Sequence, residues 1–165
     1  MTAPASSGFA RTLPLLGWLA LTFAAGALGA IASVDAAAFY AQLARPSWAP
    51  PASVFGPVWS ALYASMGVAA WLVWREAQPA RAALTLYVVQ LAVNALWSWL
   101  FFAWHLGAYA FADVIVLLAL IAATALAFRR SSRIAAILLA PYFAWVAFAS
   151  LLTWVVWQSN RALLG

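Results

Sequence analysis

Residues 82–128 decide the fold, and they read AALTLYVVQLAVNALWSWLFFAWHLGAYAFADVIVLLALIAATALAF. The only acidic, basic or histidine side chains in this stretch are His105 and Asp113. An α-helix rises about 1.5 Å per residue, so it crosses a hydrocarbon core of about 30 Å in roughly 20 residues. The stretch is too long for one crossing and right for two. It therefore predicts a helical hairpin with spans at 82–104 and 107–128, joined at His105-Leu106-Gly107.

The composition extends this membrane interpretation to the whole chain. Of its 165 residues, 68% are hydrophobic and 7% are charged, against about 25% charged in a typical soluble domain. No soluble fold can bury so much apolar surface, so the solvent must be lipid. The chain has no cysteine, which excludes disulfides and thiolate metal sites, and no lysine, which excludes a Schiff base to an aldehyde cofactor.

Three more apolar stretches complete the predicted fold. Spans at 13–33, 54–74 and 134–157 give an all-α membrane protein, a bundle of five transmembrane helices forming one domain over residues 1–165. Thr12 is expected to cap the first span, with Pro14 in its first turn, and Pro141 to kink the last. The prolines and charges of residues 34–53 predict an extended outer loop containing one short helical turn.

The arginines orient the bundle. All eight basic residues are arginines, and they flank apolar runs without forming a stripe, which excludes a nucleic-acid face. Six of them (Arg11, Arg75, Arg81, Arg129, Arg130 and Arg133) fall on the side of the N-terminus, and Arg45 and Arg161 fall on the other. Positive charge favours the inside. We therefore expect the N-terminus inside, the C-terminus outside, and a first span too long for a cleaved signal peptide.

One face of the third span collects polar and aromatic groups. Gln90, Asn94, Trp97 and Phe101 follow the spacing i, i+4, i+7, i+11 of a single helix face. Polar side chains inside lipid usually face the protein interior. This face either joins helices through amide hydrogen bonds or forms one wall of a ligand cavity.

The remaining polar and small residues each have two interpretations. Asp113 is a proton-relay carboxylate, a group that hydrogen-bonds a neighbouring helix, or a group that reaches the nearby interface. His105 is either a turn residue or a single haem ligand. Gly26, Gly29 and Gly67 are expected to let helices approach closely. Paired carboxylates, catalytic triads and phosphate loops are absent from the sequence, so ordinary acid–base catalysis is not expected.

Five ordered motifs carry a family resemblance. They are Arg45-Pro46-Ser47-Trp48-Ala49-Pro50-Pro51, Phe55-Gly56-Pro57-Val58-Trp59, Leu62-Tyr63-Ala64-Ser65-Met66-Gly67, the run from Gln90 through Asn94 and Trp97 to Ser98, and Pro141-Tyr142-Phe143-Ala144-Trp145 with Phe148 and Ala149. This set resembles the TspO/MBR family of tryptophan-rich sensory proteins, translocator proteins and peripheral-type benzodiazepine receptors. The resemblance covers nearly the whole chain. It implies a five-helix bundle, usually a homodimer, whose ligand cavity opens toward the first loop.

The resemblance also implies ligands and site residues. Family ligands are protoporphyrin IX and related tetrapyrroles, isoquinoline and benzodiazepine compounds, and sterols in animal members. Sterol binding is in doubt here, because Trp154 and Gln158 replace the tyrosine and arginine of the animal motif. No further cofactor is required. The implied ligand-binding residues are Trp59, Trp145, Asn94, Gln90, Trp48, Tyr40, Trp97, Tyr63, Phe148 and Ala149.

Three functions stay open at this point. The first is a tetrapyrrole-binding sensor or regulator without turnover. The second is a porphyrin-degrading enzyme that uses light and oxygen, with Trp59 and Trp145 in radical chemistry. The third is a porphyrin transporter, although the five spans show no repeated halves. The sequence favours binding. Apolar helical spans favour a bacterial inner membrane, with the outer membrane as the alternative within the family.

Overall fold

The computed structural model describes residues 8–78 and 80–165, with side chains from residue 12 onward. Its described residues contain helices and no strand. The helices are α1 Gly8–Ile31, α2 Ala36–Gln42, α3 Phe55–Trp74, α4 Arg81–Ser98, α5 Gly107–Ser131, α6 Arg133–Leu138, α7 Ala140–Ser159 and α8 Arg161–Leu164. A short 3₁₀ turn, Ala52–Val54, leads into α3, and a π-helical segment, Trp99–Ala103, extends α4.

Five of these helical stretches are long and apolar enough to cross a membrane. They are Thr12–Ile31, Ala52–Trp74, Arg81–Ala103, Gly107–Ser131 and Arg133–Ser159. The all-α, five-span prediction is therefore confirmed, with span ends displaced by a few residues. The assignment of the chain to one domain stays a prediction.

Helices α3, α4, α5 and α7 enclose an apolar core that α1 and α6 help to close. Helix α1 packs on α3 and α4, α5 lies between α4 and α7, and α6 contacts α3 and α5. The largest fully buried side chains include Tyr87, Tyr142, Phe128 and Met66. Large apolar side chains such as Leu126 are exposed on the outside of the bundle, which suits a lipid environment.

The hairpin at His105 is confirmed. His105 adopts φ 55°, and the Leu106 N–H donates to the Leu100 carbonyl at 2.8 Å, so the chain reverses tightly. Residue 107 must be glycine, because a Cβ at this position would overlap the Trp157 ring. The His105 ring stacks on Phe39 of α2 with centroids 4.2 Å apart. His105 thus occupies the turn, as one of its two interpretations predicted.

Two predictions about helix ends are wrong, and one is confirmed. Helix α1 begins at Gly8, so Thr12 and Pro14 lie inside the helix, and Thr12 is not its cap. Pro14 is tolerated near a span end, where water can hydrate the carbonyl that its missing N–H leaves free. The last span does break before Pro141: α6 ends at Leu138, and the Ser65 hydroxyl donates to the Leu138 carbonyl at 2.7 Å.

The outer loop is more ordered than the sequence indicated. Residues 36–42 form about two helical turns, α2, where one was expected. Tyr40 and Leu43 are 6% and 5% exposed. Burial of these two side chains against the bundle explains why so short a helix forms, since a helix of this length is marginal in isolation.

Candidate functional site

Two edge-on aromatic pairs form a seam between α3 and α7. Phe55 meets Trp145 with centroids 6.0 Å apart and planes at 72°, and Trp59 meets Tyr142 at 6.1 Å and 66°. The residue numbers of the pairs rise along α3 and fall along α7, as expected for antiparallel neighbouring spans. Edge-to-face packing is a favoured arrangement of aromatic rings. We call these four residues the α3–α7 seam.

Tyr63 connects the seam to α4. Its ring stacks on Trp59, one turn earlier, at 5.3 Å and 30°, and its hydroxyl donates to Asn94 Oδ1 at 2.8 Å. Asn94 is 5% exposed, so this bond is formed away from water. A Cβ on Gly26 of α1 would lie 2.5 Å from the Tyr63 ring. The close approach predicted for Gly26 is therefore what makes room for Tyr63.

The first loop covers one end of the seam. The Tyr40 hydroxyl donates to the Pro50 carbonyl at 3.1 Å, and its ring meets Phe55 edge-on at 5.6 Å. Arg45 places its guanidinium 4.6 Å from the centre of the Tyr40 ring. Burial raises the pKa of the Tyr40 phenol and nearby Arg45 partly offsets this, so Tyr40 is a neutral donor at physiological pH.

Trp48 extends this cover to α7. Its ring meets Phe148 at 5.8 Å, and Phe148 in turn lies 5.6 Å from Trp145. Trp48 is 45% exposed, more than the other aromatic rings near the seam, which are half-buried or buried. Trp48 is thus the most exposed part of the aromatic cover. Ala149 is half-buried, one turn after Trp145 on the same helix.

Several buried polar groups of α4 and α7 have no hydrogen-bond partner among the described residues. They are both amide atoms of Gln90, the indole N–H groups of Trp97 and Trp145, and the Tyr142 hydroxyl. Asn94 makes the interhelical bond that one interpretation predicted, but Gln90 does not. Unpaired polar groups in an apolar interior are costly. This part of the bundle therefore holds unused hydrogen-bonding capacity.

The other predicted residues lie at different distances from the seam. Trp97 stacks on Phe101 at 5.1 Å and 10°, and it packs against both the central core and the loop-side cluster. Asp113 is half-buried on α5, with one carboxylate oxygen unpaired. His105 contacts α2, away from the seam. Among the described residues no group of three metal-ligating side chains occurs.

Two shallow surface depressions lie outside the seam. One, of about 360 Å³, lies within the first loop, and the other lies beside α1 and the end of α3. Their lining residues are Leu43, Arg45, Pro46, Ala49 and Pro51 for the first, and Pro14, Gly17, Trp18, Leu21 and Trp74 for the second. Neither includes Trp59 or Trp145, although the first is formed by the loop that covers the seam. The seam rings pack on one another, so a ligand there must part them.

Sequence reasoning missed two members of the seam, Phe55 and Tyr142. Each lies inside a motif that the sequence singled out. Phe55 precedes Trp59 by four residues and Tyr142 precedes Trp145 by three, so each pair shares one helix face. That spacing was the available signal.

These features define an integral, multi-pass helical membrane protein with an aromatic interior beneath its first loop. The chain belongs to the TspO/MBR family, whose model matches residues 18–158. It is 42% identical to the translocator protein of Ovis aries, in an alignment that covers 74% of this chain and 75% of that protein. It is 37% identical to the tryptophan-rich protein TspO of Chlorobaculum tepidum, over 74% and 79% of the two chains. It is 36% identical to the protein CrtK of Rhodobacter capsulatus, over 82% and 86%.

A double-mutant cycle tests the link between α3 and α4. Tyr63→Phe and Asn94→Leu should each destabilise the bundle, and the double variant should lose less than the sum. We expect a coupling of about 0.5–1.5 kcal/mol, the usual range for hydrogen bonds between membrane helices. Unfolding in mixed micelles of increasing SDS content measures it.

The control for this cycle is Tyr87→Phe combined with Asn94→Leu. Tyr87 is a fully buried tyrosine, where Tyr63 is half-buried, and its hydroxyl pairs with Thr22 instead, at 2.6 Å. This control pair should be additive within about 0.3 kcal/mol. Additive effects for Tyr63 and Asn94 would show that their hydrogen bond does not hold α3 to α4.

Proposed function

We propose that this protein binds protoporphyrin IX or a related tetrapyrrole at the α3–α7 seam and acts as a sensor or regulator without turnover. The observation that carries the proposal is the placement of Trp59 and Trp145 along one seam, beside unpaired polar groups and under a loop. Membership of the TspO/MBR family supports it. Each of the two indoles touches an aromatic ring on the opposite helix. A flat ligand that enters the seam would therefore contact rings from both α3 and α7.

The chemistry of a porphyrin suits this arrangement. A porphyrin is a flat aromatic plate with carboxylate arms, and rigid indole faces offer it wide apolar contact with few rotatable bonds. The Trp145 N–H and the Gln90 amide are buried donors that lack partners. Arg45 is exposed in the covering loop, where it can meet a carboxylate. Flat isoquinoline or benzodiazepine compounds fit the same seam by their apolar contacts alone.

The loop determines the side of entry. Tyr40 and Trp48 approach the seam from residues 34–53, so we propose that the ligand enters from that side of the membrane. The arginine distribution favours the outside for that side and the inside for the N-terminus. The apolar helical spans favour a bacterial inner membrane, with the outer membrane as the alternative. The family resemblance makes a homodimer the expected assembly.

Replacing the seam tryptophans tests the proposed binding. Trp59→Leu and Trp145→Leu should each raise the Kd for protoporphyrin IX at least about tenfold, since each removes an aromatic face worth about 1.4 kcal/mol or more. Titration of tryptophan quenching measures the Kd. Trp74→Leu is the matched control, because Trp74 lies at the opposite end of α3 and is 41% exposed. The Kd of this variant for protoporphyrin IX should equal that of the wild type.

Unchanged affinity in both seam variants would refute the site. The same preparations separate the other functions. A new pigment formed in light and air by the wild type, and not by a Trp145→Phe variant, would favour the enzyme. Flux into proteoliposomes above a protein-free control would favour the transporter. We expect neither.

Single cysteines test the orientation, since the chain has none of its own. Ser47 and Ala77 are exposed in loops that the five spans place on opposite sides. In bacterial spheroplasts, an impermeant maleimide should label the Ser47→Cys variant at once. It should label the Ala77→Cys variant only after permeabilisation. The reverse pattern would overturn the proposed orientation.

A further inference from the structure

One side chain ties the first loop to the far end of the chain. Asn160 follows α7, and its Oδ1 accepts a hydrogen bond from the Ala44 N–H at 2.8 Å. Its Nδ2 donates to the Ala44 carbonyl at 2.9 Å and to the Val156 carbonyl at 2.7 Å. One amide therefore satisfies both backbone groups of a residue 116 positions away, and also binds its own helix end.

The loop depends on this outside partner. Ala44 follows α2 and precedes Arg45, in backbone that belongs to no helix. Pro46, Pro50 and Pro51 have no backbone N–H, so the loop can form few hydrogen bonds of its own. Asn160 supplies the hydrogen-bond acceptor and donor that a neighbouring β-strand would otherwise offer to the Ala44 backbone. No other natural side chain of this length presents a donor and an acceptor in this way.

The Asn160 side of the contact is shielded from water, whereas Ala44 itself is exposed. Asn160 is 8% exposed, and an apolar cluster that contains Leu43, Val156 and Leu164 surrounds this end of the bundle. Leu164 belongs to α8, the turn that follows Asn160, and it is fully buried. Hydrogen bonds in such surroundings face little competition from water and are strengthened by the low local dielectric. The three bonds are thus well placed to hold the loop.

Hydrogen bonds hold the loop on either side of Trp48. Ala44 is fixed by Asn160, and Pro50 is fixed by the Tyr40 hydroxyl. Between them lies Trp48, 45% exposed, whose ring reaches Phe148 beside the seam. Releasing Ala44 would free the stretch that carries Trp48 from one of its two supports.

We propose that Asn160 is a positioning residue that latches the first loop over the α3–α7 seam and so sets how fast a ligand enters and leaves. The inference about ligand exchange rests on the function proposed above, whereas the latch itself does not. A latch that must open for both entry and exit controls the two rates together, and it affects the equilibrium much less.

Hydrogen exchange of the ligand-free protein tests the latch directly. In the Asn160→Ala variant, the Ala44 amide and its loop neighbours should exchange at least about tenfold faster than in the wild type. The reason is that losing these hydrogen bonds lowers the free energy needed to open the loop. Amides in the middle of α4 should keep their protection, which shows that the bundle is still folded. Unchanged exchange in the loop would overturn the latch.

Gln158→Ala is the matched control. Gln158 lies at the same helix end, but its side chain accepts hydrogen bonds from Arg161 and none from the loop. Its loop exchange should equal that of the wild type. Asn160→Asp should protect the Ala44 amide less than the wild type and more than Asn160→Ala, because it keeps the acceptor for the Ala44 N–H but loses both donors and brings a carboxylate toward the two carbonyls.

Ligand kinetics test the second half of the proposal. With protoporphyrin IX and stopped-flow quenching, Asn160→Ala should raise the association and dissociation rates together, by about fivefold or more, with Kd within about threefold of the wild type. A rise in the dissociation rate alone, with Kd rising in step, would mean lost contacts instead of a latch. If the wild type binds no protoporphyrin, the proposed function fails, and hydrogen exchange still decides the latch.

A reversible cross-link tests the latch independently of the Asn160→Ala variant, in case that variant fails to fold. The pair Ala44→Cys and Asn160→Cys provides the only thiols in the chain. When this pair is oxidised, exchange of protoporphyrin IX should slow below the wild-type rate, and reduction should restore fast exchange. Equal rates in both redox states would contradict the latch.

Discussion

The edge-on packing of α3 against α7 is the interaction on which the rest of the site depends. Phe55 with Trp145, and Trp59 with Tyr142, fix these two antiparallel spans in register. Tyr63 then reaches Asn94 from its place under Trp59, and Phe55 provides the surface on which Tyr40 of the loop packs. In lipid the hydrophobic effect does not drive helices together, so ring packing of this kind and a few hydrogen bonds carry the association.

The lipid surroundings also divide the buried polar groups into two sets. A buried amide or indole N–H in a bilayer must find its partner inside the protein. Asn94, Thr22 and Asn160 do so, through Tyr63, Tyr87 and Ala44. Gln90 and the Trp145 N–H do not. This difference between satisfied and unsatisfied groups separates the framework of the bundle from the region where we propose that a ligand binds.

Much of the fold follows from the sequence, because charge and span length leave little choice. Residues 82–128 admit one break, and His105 occupies it; the break before Pro141 follows from a missing N–H. Helix α2 was underestimated because its order comes from burying Tyr40 and Leu43 against distant helices. The motifs indicated Trp59, Tyr63 and Trp145, but no local pattern shows that Asn160 bonds Ala44 across 116 residues. Spacing along a helix is visible in a sequence, whereas contacts between distant segments are not.

The measurement that tests the central claim most directly is an experimental structure of the protein with protoporphyrin IX bound. The account predicts the macrocycle at the α3–α7 seam, in contact with Trp59 and Trp145, with its carboxylates toward Gln90, Asn94 or Arg45 and with residues 34–53 closed over it. A macrocycle bound elsewhere, for example in the lipid-side depression that Trp18 and Trp74 line, with the seam rings packed as they are here, would contradict it.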